Sequence, residues 1–157
     1  MSTLLQISDP HFGTERAPVV QALLALARQQ QPDLVLLSGD ITQRARAEQF
    51  ARARAFLDQI DAPLLVIAGN HDLTLFNLIE RLGHPYARLR HAFGDDLEPV
   101  YRSADLLVVS VNTTRWYRHI NGEVSTSQVE RVAALLAQAT AAQLRLVVVH
   151  QPVAVLR

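Results

Sequence analysis

Four short apolar runs, each ending in side chains able to bind a metal, constrain this chain more than any other feature. Leu64-Leu65-Val66-Ile67-Ala68 stops abruptly at Gly69-Asn70-His71-Asp72. Leu4-Leu5-Gln6-Ile7 runs into Asp9-Pro10-His11, Leu34-Val35-Leu36-Leu37 into Gly39-Asp40, and Leu146-Val147-Val148-Val149 into His150. Runs this short, rich in branched residues and bounded by Pro or Gly, read as buried strands. In open α/β sheets, ligands bind just beyond the carboxyl ends of the strands. The expectation is therefore that all four ends lie on one edge of a sheet and meet in one crevice.

The intervening segments support alternating strands and helices. Pro18 stands where a helix starts, and Val19, Val20, Leu23, Leu24 and Leu26 follow at helical spacing to Gln29. A second helix is expected from about Arg46 to Ile60, with Phe50, Ala53, Phe56, Leu57 and Ile60 as its apolar stripe. Its arginines at 46, 52 and 54 fall largely on the solvent side. Strand, helix, strand, helix, strand with short connections implies right-handed crossovers and a parallel sheet. A short helix is expected around Leu75 to Leu82. From Pro99 the pattern changes: Val100-Tyr101-Arg102, a turn at Ser103-Ala104-Asp105 and Leu106 to Val111 read as a hairpin. A loop from Asn112 to Asn121 follows. Ser125 with Gln128, or Ser127 with Glu130, then makes a capping box for a late helix.

At 157 residues the chain is most simply one domain with a real core. Its 49% hydrophobic and 19% charged content are those of an ordinary globular protein. Formal net charge is zero, so no global field draws it to nucleic acid or anionic lipid, and nucleic acid is not an expected partner. There is no cysteine, so any metal must be held by nitrogen and oxygen. All 15 basic residues are arginine, which rules out lysine chemistry. No apolar run approaches the ~20 residues of a membrane span, and no leader is evident at the N-terminus. A cytoplasmic location is the default expectation.

Singly, each candidate has an ordinary explanation. Asp40 can cap a helix, Gly69-Asn70 can turn, and His150 can be a satisfied core histidine. The combination is harder to explain away. Gathering so many polar groups is costly unless something pairs them, and a cation does that best. Two ions fit the number of candidates better than one, with Asp40 as a bridging carboxylate at the ~3.5–4 Å spacing of two-metal hydrolytic sites.

Asp9-x-His11, Gly39-Asp40, Gly69-Asn70-His71-Asp72 and His150, in this order and with Gly122-Glu123-Val124-Ser125 before the late helix, resemble the motifs of calcineurin-like metallophosphoesterases. The nearest likeness is to the bacterial branch that includes class III cyclic-nucleotide phosphodiesterases. The resemblance implies an α/β fold, a four-layer α/β/β/α sandwich of two mixed sheets. It implies two divalent metal ions, manganese or iron, with zinc an alternative. Asp9 and His11 would bind the first ion, Asp40 would bridge, and Asn70 and His150 would bind the second. His71 would contact the phosphoryl oxygens and protonate the leaving alkoxide, with Asp72 orienting the turn. The implied reaction is phosphodiester hydrolysis by a hydroxide shared between the ions. The implied partner is a small phosphoester or nucleotide.

Two departures from the family pattern stand out. Gln43 occupies a position where relatives often carry an acid, so an Asp–His pairing there is not available. A Gly-His-x-His motif is expected some tens of residues after His150 and is absent. Residues 1–157 are accordingly read as the N-terminal part of a longer domain, incomplete at the C-terminus, or as a chain whose homodimer covers the gap. In the 112–121 loop, Asn112, Arg115, Trp116 and His119 are the candidate substrate contacts, with Trp116 and Tyr117 able to stack on a base. For any one of them a plain surface loop is the simpler reading. The rival functions are a catalytically inactive scaffold of the same fold and a doubly wound nucleotide-binding module. The latter calls for a Gly-rich phosphate loop after the first strand, which Asp9-Pro10-His11-Phe12-Gly13 is not.

Overall fold

The computed structural model describes residues 1–74, 82–118 and 121–152. Strands β1 (Leu4–Ile7), β2 (Leu34–Ser38) and β3 (Leu64–Ile67) form one sheet in the order β1-β2-β3. Both pairings are parallel, with Leu4 opposite Leu34 and Val35 opposite Leu64. Strands β4 (Val100–Arg102), β5 (Leu106–Ser110) and β6 (Leu144–Val148) form the second sheet. Here β4 and β5 are antiparallel, whereas β5 and β6 are parallel. Among the described residues only the second sheet is mixed; the first is parallel throughout, as its helical crossovers require.

Alternation of side chains along β2 explains the layers. Val35 and Leu37 face a core shared with α1 (Ala17–Gln30), α2 (Ala47–Leu57) and α3 (Ala87–Phe93), through Leu24, Phe50, Phe56 and Leu89. Leu34 and Leu36 face the other way, onto Leu106, Val108 and Val148 of the second sheet. A central parallel strand covered on both sides presents apolar side chains to both, which is why Leu34 to Leu37 show no alternation in sequence. Helix α4 (Thr126–Ala137) lies over β5 on the far side. The result is helix, sheet, sheet, helix, the four layers expected.

The local signals at two helix starts are met. Helix α1 starts with Pro18 in its first turn and ends at Gln31 in the left-handed region. At the start of α4 the Gln128 amide donates to Ser125 Oγ at 3.2 Å while Gln128 Oε1 accepts from the Ser125 amide at 2.9 Å. That selects the Ser125–Gln128 capping box over the Ser127–Glu130 alternative. Helix α2 is shorter than expected, because the backbone turns after Asp58 rather than at Ile60. The helix anticipated at Leu75 to Leu82 lies almost wholly outside the described residues. No described helix is long and apolar enough to cross a membrane.

Candidate metal centre

The loops after β1 and β2 continue the pairing of the strands they leave. The Asp9 amide donates to Gly39 O at 3.2 Å, the His11 amide to Asp40 O at 3.1 Å and the Phe12 amide to Ile41 O at 2.8 Å. Phe12 and Thr42 then form a parallel bridge of their own. The backbone does this by turning left-handed at Asp9, His11 and Asp40, with φ of 52°, 45° and 47°. From sequence alone, Pro10 is expected to hold Asp9 extended and so place Asp9 and His11 on one face; the structure differs. The two side chains do come together, but through positive φ in a loop clamped to its neighbour. Non-glycine residues in that region cost energy, and here the three sit at the candidate site.

Asp40 is the centre of the cluster and is buried. Its Oδ1 accepts the His71 amide at 2.9 Å and stands 3.3 Å from His150 Nε2. Its Oδ2 is 3.8 Å from His11 Nε2 and 4.0 Å from His71 Nε2. Burial alone would raise the Asp40 pKa, but His150 and the His71 amide outweigh it and hold the carboxyl below its ordinary value. For His150, burial disfavours the charged ring, yet Asp40 and the Ser38 carbonyl outweigh that and raise its pKa. Burial is graded across the cluster: Asp9 is exposed, His11, Asn70, His71 and His150 are intermediate, and Asp40 is enclosed.

Two of the rings are oriented by main-chain carbonyls. His150 Nδ1 donates to Ser38 O and His71 Nδ1 donates to Gln43 O, each at 2.9 Å. A carbonyl can only accept, so Nδ1 carries the hydrogen and Nε2 is turned toward Asp40 in both. Gln43 thus orients His71 through its backbone, with no need of an acidic side chain. The His11 and His71 rings meet edge to face, 4.9 Å apart.

Asp72 performs a different task. It is 1% exposed, and its carboxylate accepts from the amides of Gly69 (2.9 Å), Ile41 (3.1 Å) and Thr42 (2.8 Å) and from the Thr42 hydroxyl (3.0 Å). It staples the turn after β3 to the loop after β2. Burial pushes its carboxyl up to about 6, against the pull of those amides. Close approach explains two glycines nearby. A Cβ on Gly69 would overlap the Asp40 backbone and carboxylate, and one on Gly39 would overlap the His150 ring.

The fourth strand end does not share the edge of the first three, contrary to the sequence expectation. His150 follows β6 in the second sheet and reaches across the sandwich to Ser38 and Asp40. The crevice is therefore a seam between two sheets rather than a switch point in one.

These residues fit a divalent cation. Asp9, His11 and Asp40 each bring one ligand-type atom within 4.8 Å of the others. The donors are all nitrogen and oxygen, and His11 Nδ1 is buried with no hydrogen-bond partner among the described residues. Asn70 starts a 3₁₀ turn, Asn70–Asp72, directly before His71, and its Oδ1 is 3.4 Å from Gln151 Nε2. Gln151 escaped the sequence reading. The available signal was a polar residue directly after a strand end already marked by histidine.

The candidate substrate loop is less open than expected. Asn112 is buried and its Oδ1 accepts from the Thr114 amide and hydroxyl, at 3.1 and 2.6 Å. Arg115 donates to the carbonyls of Asn112 and Thr114 and to Gln128 Oε1, each at 2.9 Å. Both residues tie the loop to α4 through Gln128. Trp116 and Tyr117 are exposed and pack edge to face 5.4 Å apart, with Tyr117 and Arg118 tied to Glu123. His119 lies outside the described residues.

Sandwich and seam together define a class: a two-sheet α/β fold that gathers carboxylates and imidazoles where strands from both sheets end. Residues 2–154 match the family model for calcineurin-like phosphoesterases, and the chain belongs to that family. It is 32% identical over 79 residues to a probable cyclic nucleotide phosphodiesterase of Synechococcus, a match covering 45% of this chain and 31% of the relative. It is 34% identical over 111 residues to the glycerophosphodiester phosphodiesterase GpdQ of Enterobacter lignolyticus, covering 59% and 39%. A third relative, the 3',5'-cyclic adenosine monophosphate phosphodiesterase CpdA of Pseudomonas aeruginosa, is 31% identical over 80 residues, covering 44% and 29%. The matches thus span about a third of the length of these relatives. The fold is similar to that of a purple acid phosphatase from yellow lupin seeds (TM-score 0.63, 13% identity, 87% of this chain and 28% of that one). It is also similar to the phosphopantetheinyl hydrolase PptH of Mycobacterium tuberculosis (TM-score 0.55, 21% identity, 96% and 68%).

Proposed function

We propose that the protein to which this chain belongs is a phosphodiesterase that uses two divalent cations to hydrolyse a small phosphoester. Manganese or iron suits the donor set best, with zinc the alternative. When bound, such a pair polarises the phosphoryl group and acidifies water. The observation that carries this reading is the convergence of Asp9, His11 and Asp40 within 4.8 Å, with His150 Nε2 3.3 Å from the same Asp40 carboxylate. In it Asp9 and His11 would hold the first ion, Asn70 and His150 would hold the second, and Asp40 would serve both.

The remaining residues prepare the reacting group. His71, its Nδ1 committed to the Gln43 carbonyl, directs Nε2 into the seam. As an imidazolium it carries a second proton on Nε2 and donates that one to the departing alkoxide. Asp72 touches no reacting atom and acts by fixing the two loops that carry Asp40 and His71. Trp116 and Tyr117, both exposed, offer an aromatic surface on which a base can stack. The relatives named as cyclic-nucleotide and glycerophosphodiester phosphodiesterases favour a diester over a monoester, and an enzyme over an inert scaffold.

The test is hydrolysis of bis(4-nitrophenyl) phosphate by the full-length protein with added Mn²⁺. Asp40→Asn should lower both Mn²⁺ affinity and rate by about 100-fold or more, since it weakens both ion positions together. Unchanged turnover in that variant overturns the proposal.

A further inference from the structure

Strand β6 delivers two consecutive side chains to the seam, and only the first has been given a role. Gln151 follows His150, is 3% exposed, and places its Nε2 3.4 Å from Asn70 Oδ1. Its backbone is fixed independently of that contact. The Gln151 amide donates to Thr113 Oγ1 at 3.1 Å, and Thr113 is itself fully buried. Gly122 closes the other side: a Cβ there would stand 3.0 Å from both Gln151 Cβ and Gln151 O. A long polar side chain held in a packed slot, with its amide nitrogen aimed at one oxygen, is poorly explained as filler. A methionine would fill the same slot without a polar group to satisfy.

We infer that Gln151 is a positioning residue for the second cation. By donating to Asn70 Oδ1 it selects which end of the Asn70 carboxamide faces the seam and which rotamer it holds. This rests on the two-ion reading above. An asparagine ligand is neutral, and its carboxamide presents oxygen or nitrogen with nearly the same shape. Only the oxygen serves a cation, so the orientation must be set by a neighbour. With Gln151 Nε2 held toward Asn70, a donor on Oδ1 sets it, because the alternative flip of Asn70 would bring two N–H groups together. One lone pair of Oδ1 accepts from Gln151 and the other remains for the ion. His150, one residue earlier, is oriented by the Ser38 carbonyl in the same manner. The end of β6 thus supplies one second-ion ligand and orients the other.

The test is Mn²⁺ binding to the metal-free full-length protein, followed by EPR, for wild type, Gln151→Met, Asn70→Ala and the double variant. Gln151→Met preserves the volume and removes the donor. Its affinity for the second ion should fall ~10- to 100-fold, as for other outer partners of ligands, while affinity for the first ion stays as in wild type. In the Asn70→Ala background the same change should have no further effect on the second ion, because the oxygen it orients is gone. Thermal denaturation of the metal-free variants separates this from a packing defect, which would weaken both sites and persist without Asn70. Two Mn²⁺ bound equally well by wild type and Gln151→Met overturn the inference alone. A wild type that binds no second Mn²⁺ overturns the two-ion reading and this inference with it.

Discussion

Strands β2 and β6 have the same length and each is followed, two residues on, by a side chain of the candidate site, yet their surroundings differ sharply. Every residue of β2 is buried. In β6 only Val148 is, while Leu144 is 62% and Val147 47% exposed. The helices differ in the same sense: α2 buries five residues, including Phe50 and Phe56, and α4 buries none. Asp40 is therefore carried by a strand clamped between two cores. His150 is carried by a strand with one covered side and is held in place by its bonds to Ser38 and Asp40. A site can be assembled from a rigid half and a half positioned by hydrogen bonds, provided the second is anchored on the first.

The contrast can be broken by measurement. The largest effect should come from Phe50→Ala, which empties a position 2% exposed beneath the first sheet and loses the edge contact with Phe93. It should cost about 3–5 kcal/mol in urea unfolding. Asp72→Asn comes next. It places an amide NH₂ against backbone donors that the carboxylate accepts, and should cost ~3 kcal/mol through a buried donor left unmatched. A cost below ~1 kcal/mol would remove Asp72 as the staple between the β2 and β3 loops.

A smaller, pH-dependent effect tests the join between the sheets. Asp105, at the turn between β4 and β5, accepts from the Ser2 hydroxyl and from the Ser2 amide at 2.6 Å, and from Ser103 Oγ at 3.0 Å. These bonds hold its carboxyl well below the usual range. A depressed folded pKa gives stability that is complete above the unfolded value near 4 and is lost as pH falls through the folded value. Asp105→Asn should therefore be less stable than wild type at pH 7, with the difference shrinking as the pH drops below about 4. A difference independent of pH would mean that the carboxylate charge plays no part. The smallest effect belongs to Val147→Thr on the open side of β6, expected within ~0.5 kcal/mol. A cost comparable to Phe50→Ala would erase the distinction between the two sheets.

Much of this was legible in the sequence, because apolar runs and their terminators are local. The three strands of the first sheet, the hairpin at Val100 to Val111 and the Ser125 capping box needed only neighbouring residues. The assembly of the site was legible in its cast but not in its construction. Asp9 and His11 meet for a reason that Pro10 does not disclose, since the pairing of the Asp9 amide with Gly39 belongs to a chain segment 30 residues away. The supports of His71 and His150 are the carbonyls of Gln43 and Ser38, and a carbonyl is common to all residues and so leaves no mark in a sequence. His150 arrives from the second sheet because sheet membership is decided by burial on both faces of β2, which no single run reveals. Asn112 and Arg115 look like ligand contacts as letters, but within the loop the Thr114 amide and hydroxyl occupy Asn112 Oδ1 and the Asn112 and Thr114 carbonyls occupy Arg115.

The ladder that runs past the strand ends to Phe12 and Thr42 has a consequence for how a cation would be received. Loops that keep exchanging amide and carbonyl bonds inherit the stiffness of the sheet that feeds them. The chain entropy of ordering Asp9, His11 and Asp40 is then spent while the protein folds, not when an ion arrives. Ion capture becomes a matter of exchanging water and protons at a ready-made cradle, and the backbone need not rearrange to accept it.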